Sequence, residues 1–192
     1  MPLPSPPEAA AASAQPSAET AAGPDATIWR DGTFHHDAWS VAVDGDPLPD
    51  GPALLSKTRW TAERASLQGR TAALGLRLEP AEGVVDIASD LVAFALLALS
   101  FPKFSDGRAF STAALLRTKY GFAGELRAVG NVLSDQIPFM RRVGFDSFDV
   151  THAPTRRALL QGRIAEVKLH YQPTVLTEAP AGTRPWLRRA PA

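Results

Sequence analysis

Short apolar runs recur along residues 74–173, and glycine, proline or charged residues separate them. The run at residues 94–99 is apolar throughout, which is typical of a strand covered on both faces. The runs predict strands at residues 74–78, 94–99, 125–129 and 147–150. Helical patterns predict a helix after each strand, at residues 86–92, 111–121, 134–143 and 156–171. The helix after the second strand is predicted to have Ser111 as its N-cap. The next helix is predicted to begin near Ser134 or Asp135, and the last one at Arg156.

This alternation of strands and helices predicts an α/β fold. Crossovers between parallel strands are right-handed, so we expect a small, mainly parallel sheet of about four strands with flanking helices. Four strands are too few to close an eight-stranded barrel. The sheet is therefore expected to be either open and doubly wound or half-barrel-like.

The segment before this core predicts an N-terminal β-hairpin. Two β-favouring pieces flank Asp31-Gly32, and Asp-Gly is a preferred two-residue hairpin turn. Residues 44–52 predict a loop and residues 54–70 a partly helical segment. The predicted organisation is a disordered Ala/Pro/Ser tail at 1–24, the hairpin and a connector at 25–73, the α/β core at 74–173 and a Pro/Ala/Arg tail at 174–192.

Composition narrows the classes of partner. The chain has 20 basic and 20 acidic residues among 192, so no overall charge attracts nucleic acid or a membrane. Residues 101–146 carry seven basic and four acidic side chains, which favours small anions as partners. The longest apolar run has nine residues, fewer than the ~20 of a membrane-spanning helix. With no signal-peptide pattern at the N-terminus, we expect a soluble, cytoplasmic protein.

The absence of cysteine excludes a further group of sites. Disulfides, thiolate nucleophiles, Cys-ligated zinc and iron–sulfur clusters all require this residue. His35-His36-Asp37 has no second ligand segment and is interpreted as hairpin surface. No dinucleotide, P-loop or Ser/His/Asp motif is present, so we predict neither a metal site nor a bound cofactor.

The loop after the second strand of the core is the first candidate site. Ligands of α/β proteins bind at the carboxyl ends of parallel strands. Gly107 would let backbone approach a ligand, and Arg108 would offer two N–H donors to sulfate, sulfite, phosphate or a carboxylate. Alternatively the loop is a structural turn in which Arg108 pairs with Asp106 or Asp135. Phe101 and Phe104 are expected in the core.

Five further residues complete the predicted ligand-binding set. Arg127 lies within the third strand, where it either pairs with Glu125 or contacts a ligand. His152 follows the fourth strand and is either a general acid or base or a surface residue. The full set is Lys103, Asp106, Gly107, Arg108, Arg127, Asn131, Asp135, Gln136 and His152.

Several linked motifs follow one another along this region. They are Phe101-Pro-Lys-Phe-Ser-Asp-Gly-Arg-Ala-Phe-Ser111, Leu116-Arg117, Gly121-Phe122, Gly124-Glu-Leu-Arg-Ala-Val-Gly130, Asp135-Gln136 and Gly144-Phe-Asp146. Over about residues 74–173 the chain resembles one bacterial family, domain of unknown function 934. Val143 and Ser100 depart from the family pattern, which often has cysteine and an acidic residue there.

The resemblance implies a role in assimilatory sulfite or nitrite reduction. One function that fits is an accessory protein without its own redox cofactor, which binds a small oxyanion such as sulfite or sulfate, or a sulfite or nitrite reductase. The alternative is an oxidoreductase of sulfite reduction that uses an unseen cofactor. Visible absorbance from a bound flavin or haem would favour the alternative.

Deletion of residues 1–24 should change the free energy of unfolding by less than about 0.5 kcal/mol. The segment contains no large side chain after Leu3, so it has little apolar surface to bury against the core. Thermal denaturation of the full chain and the truncated chain measures the difference. A melting temperature lowered by several degrees would show that the tail packs on the core.

Overall fold

The computed structural model describes residues 25–67 and 69–164, so both predicted tails lie outside the described residues. Its strands form a single curled, half-barrel-like sheet in the order β2-β1-β8-β7-β6-β5-β4-β3. Their bounds are β1 (Ile28–Arg30), β2 (Thr33–His35), β3 (Ser40–Val41), β4 (Ala53–Ser56), β5 (Leu74–Leu78), β6 (Phe94–Phe101), β7 (Glu125–Gly130) and β8 (Ser147–Asp149).

The strand order explains the curl of the sheet. From β3 to β8, each strand lies beside the next one along the chain, and all these pairs are parallel. Right-handed crossovers that advance in one direction place their connections on the same face. Such a sheet bends as the wall of an α/β barrel does, whereas a doubly wound sheet reverses direction. The structure therefore adopts the half-barrel-like alternative.

The helices cover one face of this sheet. Side chains such as Trp60, Leu116 and Met140 join Leu97 and Leu126 of the strands in one apolar cluster. No helix in the described part of the chain is long and apolar enough to span a bilayer. The helices are α1 (Lys57–Leu67), a 3₁₀ helix (Val85–Ala93), α2 (Arg108–Thr118), α3 (Ile137–Arg142) and α4 (Ala153–Leu160).

The sheet is larger than the predicted four strands, and it is mixed. The four predicted strands are present as β5 to β8. The hairpin continues the same sheet, because β1 pairs antiparallel with β8. On the other side, β3 and β4 extend the parallel part. These two strands have two and four residues, which is too short for a periodic pattern to reveal.

The predicted hairpin turn is present in detail. Ile28 pairs with His35 and Trp29 with Phe34 across the two strands. Asp31 and Gly32 have φ angles of 51° and 83°. Two successive positive φ angles are those of a type I′ turn, whose twist matches that of the strands.

The predicted starts of three helices were wrong by two or more residues. Gly107 and Gln136 precede α2 and α3 without a side-chain capping bond, so no capping side chain marks either start. Pro138 lies in the first turn of α3, as predicted. The predicted end of the last helix at residue 171 lies outside the described residues. The first of these helices begins at Arg108 and not at Ser111, and the second at Ile137 and not at Ser134 or Asp135. The third begins at Ala153 and not at Arg156.

Arg117 connects three segments of the fold from the last turn of α2. Its side chain is only 11% exposed. The guanidinium donates hydrogen bonds to the carbonyls of Phe122 and Gly124, at 2.5 and 2.9 Å. It also donates to the Gly144 carbonyl at 3.0 and 3.1 Å and to the Asp146 carboxylate at 2.5 Å. One side chain thus holds the segments that lead into β7 and β8.

Replacing Arg117 by methionine should lower the free energy of unfolding by about 2–4 kcal/mol. The change keeps much of the apolar stem but removes the guanidinium donor from three carbonyls and from the Asp146 carboxylate, which keeps only the Leu126 N–H. Urea denaturation measures the loss, and Arg157→Met is the control because Arg157 is exposed on α4. The control should change stability by less than about 0.5 kcal/mol. Equal values for the two variants would contradict the role given to Arg117.

Candidate functional site

Two loops meet at the carboxyl edge of the sheet, where β6 and β7 end side by side. Phe101 pairs with Gly130 in the ladder, and the Asn131 N–H donates to the Phe101 carbonyl at 2.7 Å. Parallel strands bring their carboxyl ends to one edge. The predicted site residues that follow β6, β7 and β8 therefore share this edge, namely Lys103, Asp106, Gly107, Arg108, Asn131, Asp135, Gln136 and His152.

Arg108 and Asp106 form a two-bond ion pair at the start of α2. Nε and Nη2 of Arg108 donate to the two carboxylate oxygens at 3.0 and 2.6 Å. The backbone N–H of Arg108 donates to the same carboxylate at 3.2 Å. The Arg108 side chain holds the pKa of Asp106 below its usual value. The pair is the structural turn that the sequence left open as an alternative, yet the Arg108 side chain remains 60% exposed.

The rest of this loop is exposed. The Asp106 N–H donates to the Lys103 carbonyl at 3.0 Å and closes a turn, while the Lys103 side chain faces solvent. Gly107 is the N-cap of α2. A Cβ atom placed on Gly107 would meet no atom within 4 Å, so the space beside it is open.

Gln136 links the two loops and carries an unsatisfied acceptor. Its Nε2 donates to the Phe104 carbonyl at 2.9 Å, which fixes the orientation of the amide because only nitrogen can donate there. The Oε1 atom is buried and accepts no hydrogen bond from any described residue. Buried acceptors normally have a donor. A water molecule or a bound group that donates a hydrogen bond would satisfy this atom.

Asp135 and His152 occupy different local settings at the same edge. Asp135 is exposed and does not cap α3, whose N-cap is Gln136. His152 is the N-cap residue of α4, and its Nδ1 lies 2.9 Å from the Thr155 hydroxyl. The imidazole thus contacts a side chain of the first turn of α4 and makes no capping bond to the backbone.

Arg127, the ninth predicted residue, lies away from the carboxyl edge. It is buried within β7 and donates to Glu125 at 2.9 and 3.1 Å, which is the structural pair the sequence suggested. It also donates to Asp37 at 2.8 Å, and the Ser147 hydroxyl lies 3.3 Å away. Asp37 was interpreted as hairpin surface, and it is exposed. It also pairs with a buried arginine 90 positions along the chain, a contact that no local pattern encodes.

Asp149 adds an unexpected carboxyl group beside this cluster. Burial raises its pKa, and the negative charge of Asp37 adds to the effect, although Arg127 opposes it. Its Oδ1 atom is buried and accepts no hydrogen bond from the described residues. Asp149 is therefore harder to ionise than an exposed aspartate.

Two exposed phenylalanines at the carboxyl edge were missed by the sequence reasoning. Phe104 was expected in the core, but 64% of it is exposed, whereas Phe101 is fully buried as predicted. Phe139 on α3 is 49% exposed. Gln136, which bonds the Phe104 carbonyl, lies three residues before Phe139, so both rings belong to the two loops and helix starts of this edge. The only sequence signal was the position of Phe104 between Lys103 and Ser105, in a polar loop.

We call this region the carboxyl-edge surface and define it by Lys103, Phe104, Asp106, Arg108, Gln136 and Phe139. Chemically it offers two exposed apolar rings, the exposed ammonium group of Lys103 and the Arg108–Asp106 ion pair. Those groups suit binding. In residues 25–67 and 69–164, no group of three or more His, Asp or Glu side chains is arranged to hold a metal ion.

Comparison with known proteins identifies the family. No curated protein is significantly similar to the chain. The model of a family described as bacterial protein of unknown function (DUF934) matches residues 75–182. The matched region includes β5 from its second residue, the whole of β6 to β8 and both loops of the carboxyl-edge surface. Because the match covers more than half of the 192 residues, the chain belongs to the DUF934 family.

Proposed function

We propose that this protein is an accessory protein of assimilatory sulfite or nitrite reduction, which binds a reductase through its carboxyl-edge surface and carries no redox cofactor of its own. The metabolic direction comes from the family resemblance of the loop motifs. The exposure of Phe104 and Phe139 beside Lys103 and Arg108 carries the binding role.

The make-up of this surface supports recognition of a protein. Protein interfaces are enriched in aromatic residues and arginine, and a few such residues supply most of the binding energy. Here the two rings supply apolar area, while Lys103 and Arg108 add positive charge next to them. The bond from Gln136 to the Phe104 carbonyl ties the two loops together, so less conformational entropy is lost on docking.

A free oxyanion is a weaker candidate for this surface. The two N–H groups that Arg108 would offer to sulfite already bind Asp106. A small oxyanion must therefore either displace this carboxylate, which is effectively at high local concentration, or bind the remaining N–H groups of Arg108 beside its negative charge. A reductase surface can use the same exposed N–H groups and add contacts to the two phenylalanine rings, which a small oxyanion cannot.

Replacing Phe104 and Phe139 together by serine should weaken binding to the reductase by at least about tenfold. Interferometry with purified sulfite and nitrite reductases of the same organism measures the affinity. The matched control is Val41→Ser, because Val41 is equally exposed, at 65%, but lies on an edge strand at one side of the sheet.

Unchanged circular dichroism and melting temperature of the serine variant would show that it remains folded. The proposal is wrong if the unmodified protein binds neither reductase. It is also wrong if Val41→Ser weakens binding as much as the double replacement does.

Asp106→Asn should strengthen sulfite binding to the isolated protein by at least about fivefold, because it removes the competing carboxylate from Arg108. Adding Arg108→Lys to Asp106→Asn should abolish the gain, since lysine keeps the charge but loses the planar pair of donors. Calorimetric titration with sulfite, sulfate and phosphate measures these affinities. Because the pKa of Asp106 is lowered, the carboxylate stays ionised at pH 5 and acidification to that pH should not reproduce the effect. Equal heats from Asp106→Asn and the unmodified protein would contradict this account of the ion pair.

A further inference from the structure

A cavity of about 380 Å³ lies at the opposite, amino-terminal edge of the sheet. It is bounded by the last turns of the 3₁₀ helix, the first residue of β6 and the segment between α2 and β7. All of its lining residues belong to the described part of the chain, and none is charged. The walls include Leu91, Val92, Phe94, Tyr120 and Phe122.

The size of the cavity suits a small molecule. An apolar protein cavity of about 150 Å³ holds one benzene ring. Ligand pockets generally begin at about 300 Å³. At about 380 Å³, this cavity has room for a molecule of one or two fused rings.

The lining selects for a neutral aromatic group. A charged ligand would lose its hydration with no opposite charge on the lining to replace it. The half-buried Tyr120 ring can make offset or edge-to-face contacts with another ring, while Phe94 and Phe122, which are 4% and 7% exposed, contribute only a small apolar area to the walls. Ser89 and Tyr120 contribute hydroxyl groups, which can orient a ligand N–H or O–H.

The walls are held in place by contacts outside the cavity. The Phe94 ring packs edge-on against Trp60 at 4.7 Å between centroids. The Arg117 guanidinium holds the carbonyls of Phe122 and Gly124. Both lining segments are therefore positioned before any ligand arrives, which lowers the entropic cost of binding. At the mouth, Val92 is 93% exposed and extends the apolar surface outward.

We propose that this amino-edge cavity is a binding site for a small, neutral aromatic molecule. The proposal is independent of reductase binding, because the cavity lies at the other end of the strands from the carboxyl-edge surface.

Saturation-transfer NMR with indole as the probe tests the site on the full-length protein. Indole should bind with a Kd below about 1 mM, and indole-3-acetate, which is charged, should bind at least fivefold more weakly. Ala123→Phe places a ring inside the cavity and should reduce indole binding at least tenfold. The control is Ala65→Phe on the exposed side of α1, which should leave binding unchanged.

The proposal is wrong if no saturation transfer to indole is seen, if Ala123→Phe and the control bind indole equally well, or if indole-3-acetate binds more strongly than indole. A blocked Ala-Trp-Ala peptide that binds where indole does not would also overturn it, in favour of a side chain of a protein partner. Circular dichroism of Ala123→Phe shows whether its loss of binding reflects a filled cavity or an unfolded chain. If that variant unfolds, Tyr120→Phe replaces it and should weaken indole binding at least threefold.

Discussion

The bonds of the Arg117 guanidinium set the register between α2 and the two strands that follow it. Its partners are three backbone carbonyls and Asp146, whose carboxylate also accepts the Leu126 N–H at 2.8 Å. Leu126 lies near the start of β7, and Asp146 immediately precedes β8. The loops of the carboxyl-edge surface leave the far ends of these elements, so their relative height depends on the same bonds. A nearly buried charge is stable here because every donor direction meets an oxygen.

The residues that carry the family resemblance divide into two physical groups. One group builds the scaffold: a Cβ atom on Gly144 would meet Arg117 Cγ at 2.6 Å, and one on Gly130 would meet the Phe101 carbonyl oxygen at 2.6 Å. Both glycines also have positive φ angles, which other residues rarely adopt. The other group, including Lys103 and Phe104, is exposed and has no comparable structural demand. Functional specificity is therefore to be sought in the exposed group.

Because the strands from β3 to β8 all run in the same direction, the carboxyl edge and the amino edge of the sheet are formed by different segments. At the carboxyl edge, loops of six residues between strand and helix carry charges and exposed rings. At the amino edge, the 3₁₀ helix and the segment between α2 and β7 close around apolar side chains. The two ends are separated by the length of β6, eight residues or about 26 Å. A protein partner and a small apolar ligand could occupy them at the same time.

Local sequence patterns determined β5 to β8, the type I′ hairpin and the position of Pro138 within α3, because alternation and turn chemistry act over a few residues. They could not determine that β1 pairs with β8, or that β3 and β4 complete the sheet, since pairing between distant segments depends on the whole chain. Nor could they place Phe104 outside the core and Asp37 beside Arg127. Hydrophobicity favours burial of every apolar side chain. The packing of α2 and α3 on one face of the sheet decides which of these side chains are buried and which are exposed to solvent or to a partner. Of the two partners that the sequence left open for Arg108, the tertiary structure selects Asp106, because an ion pair depends on side-chain geometry that spacing does not specify.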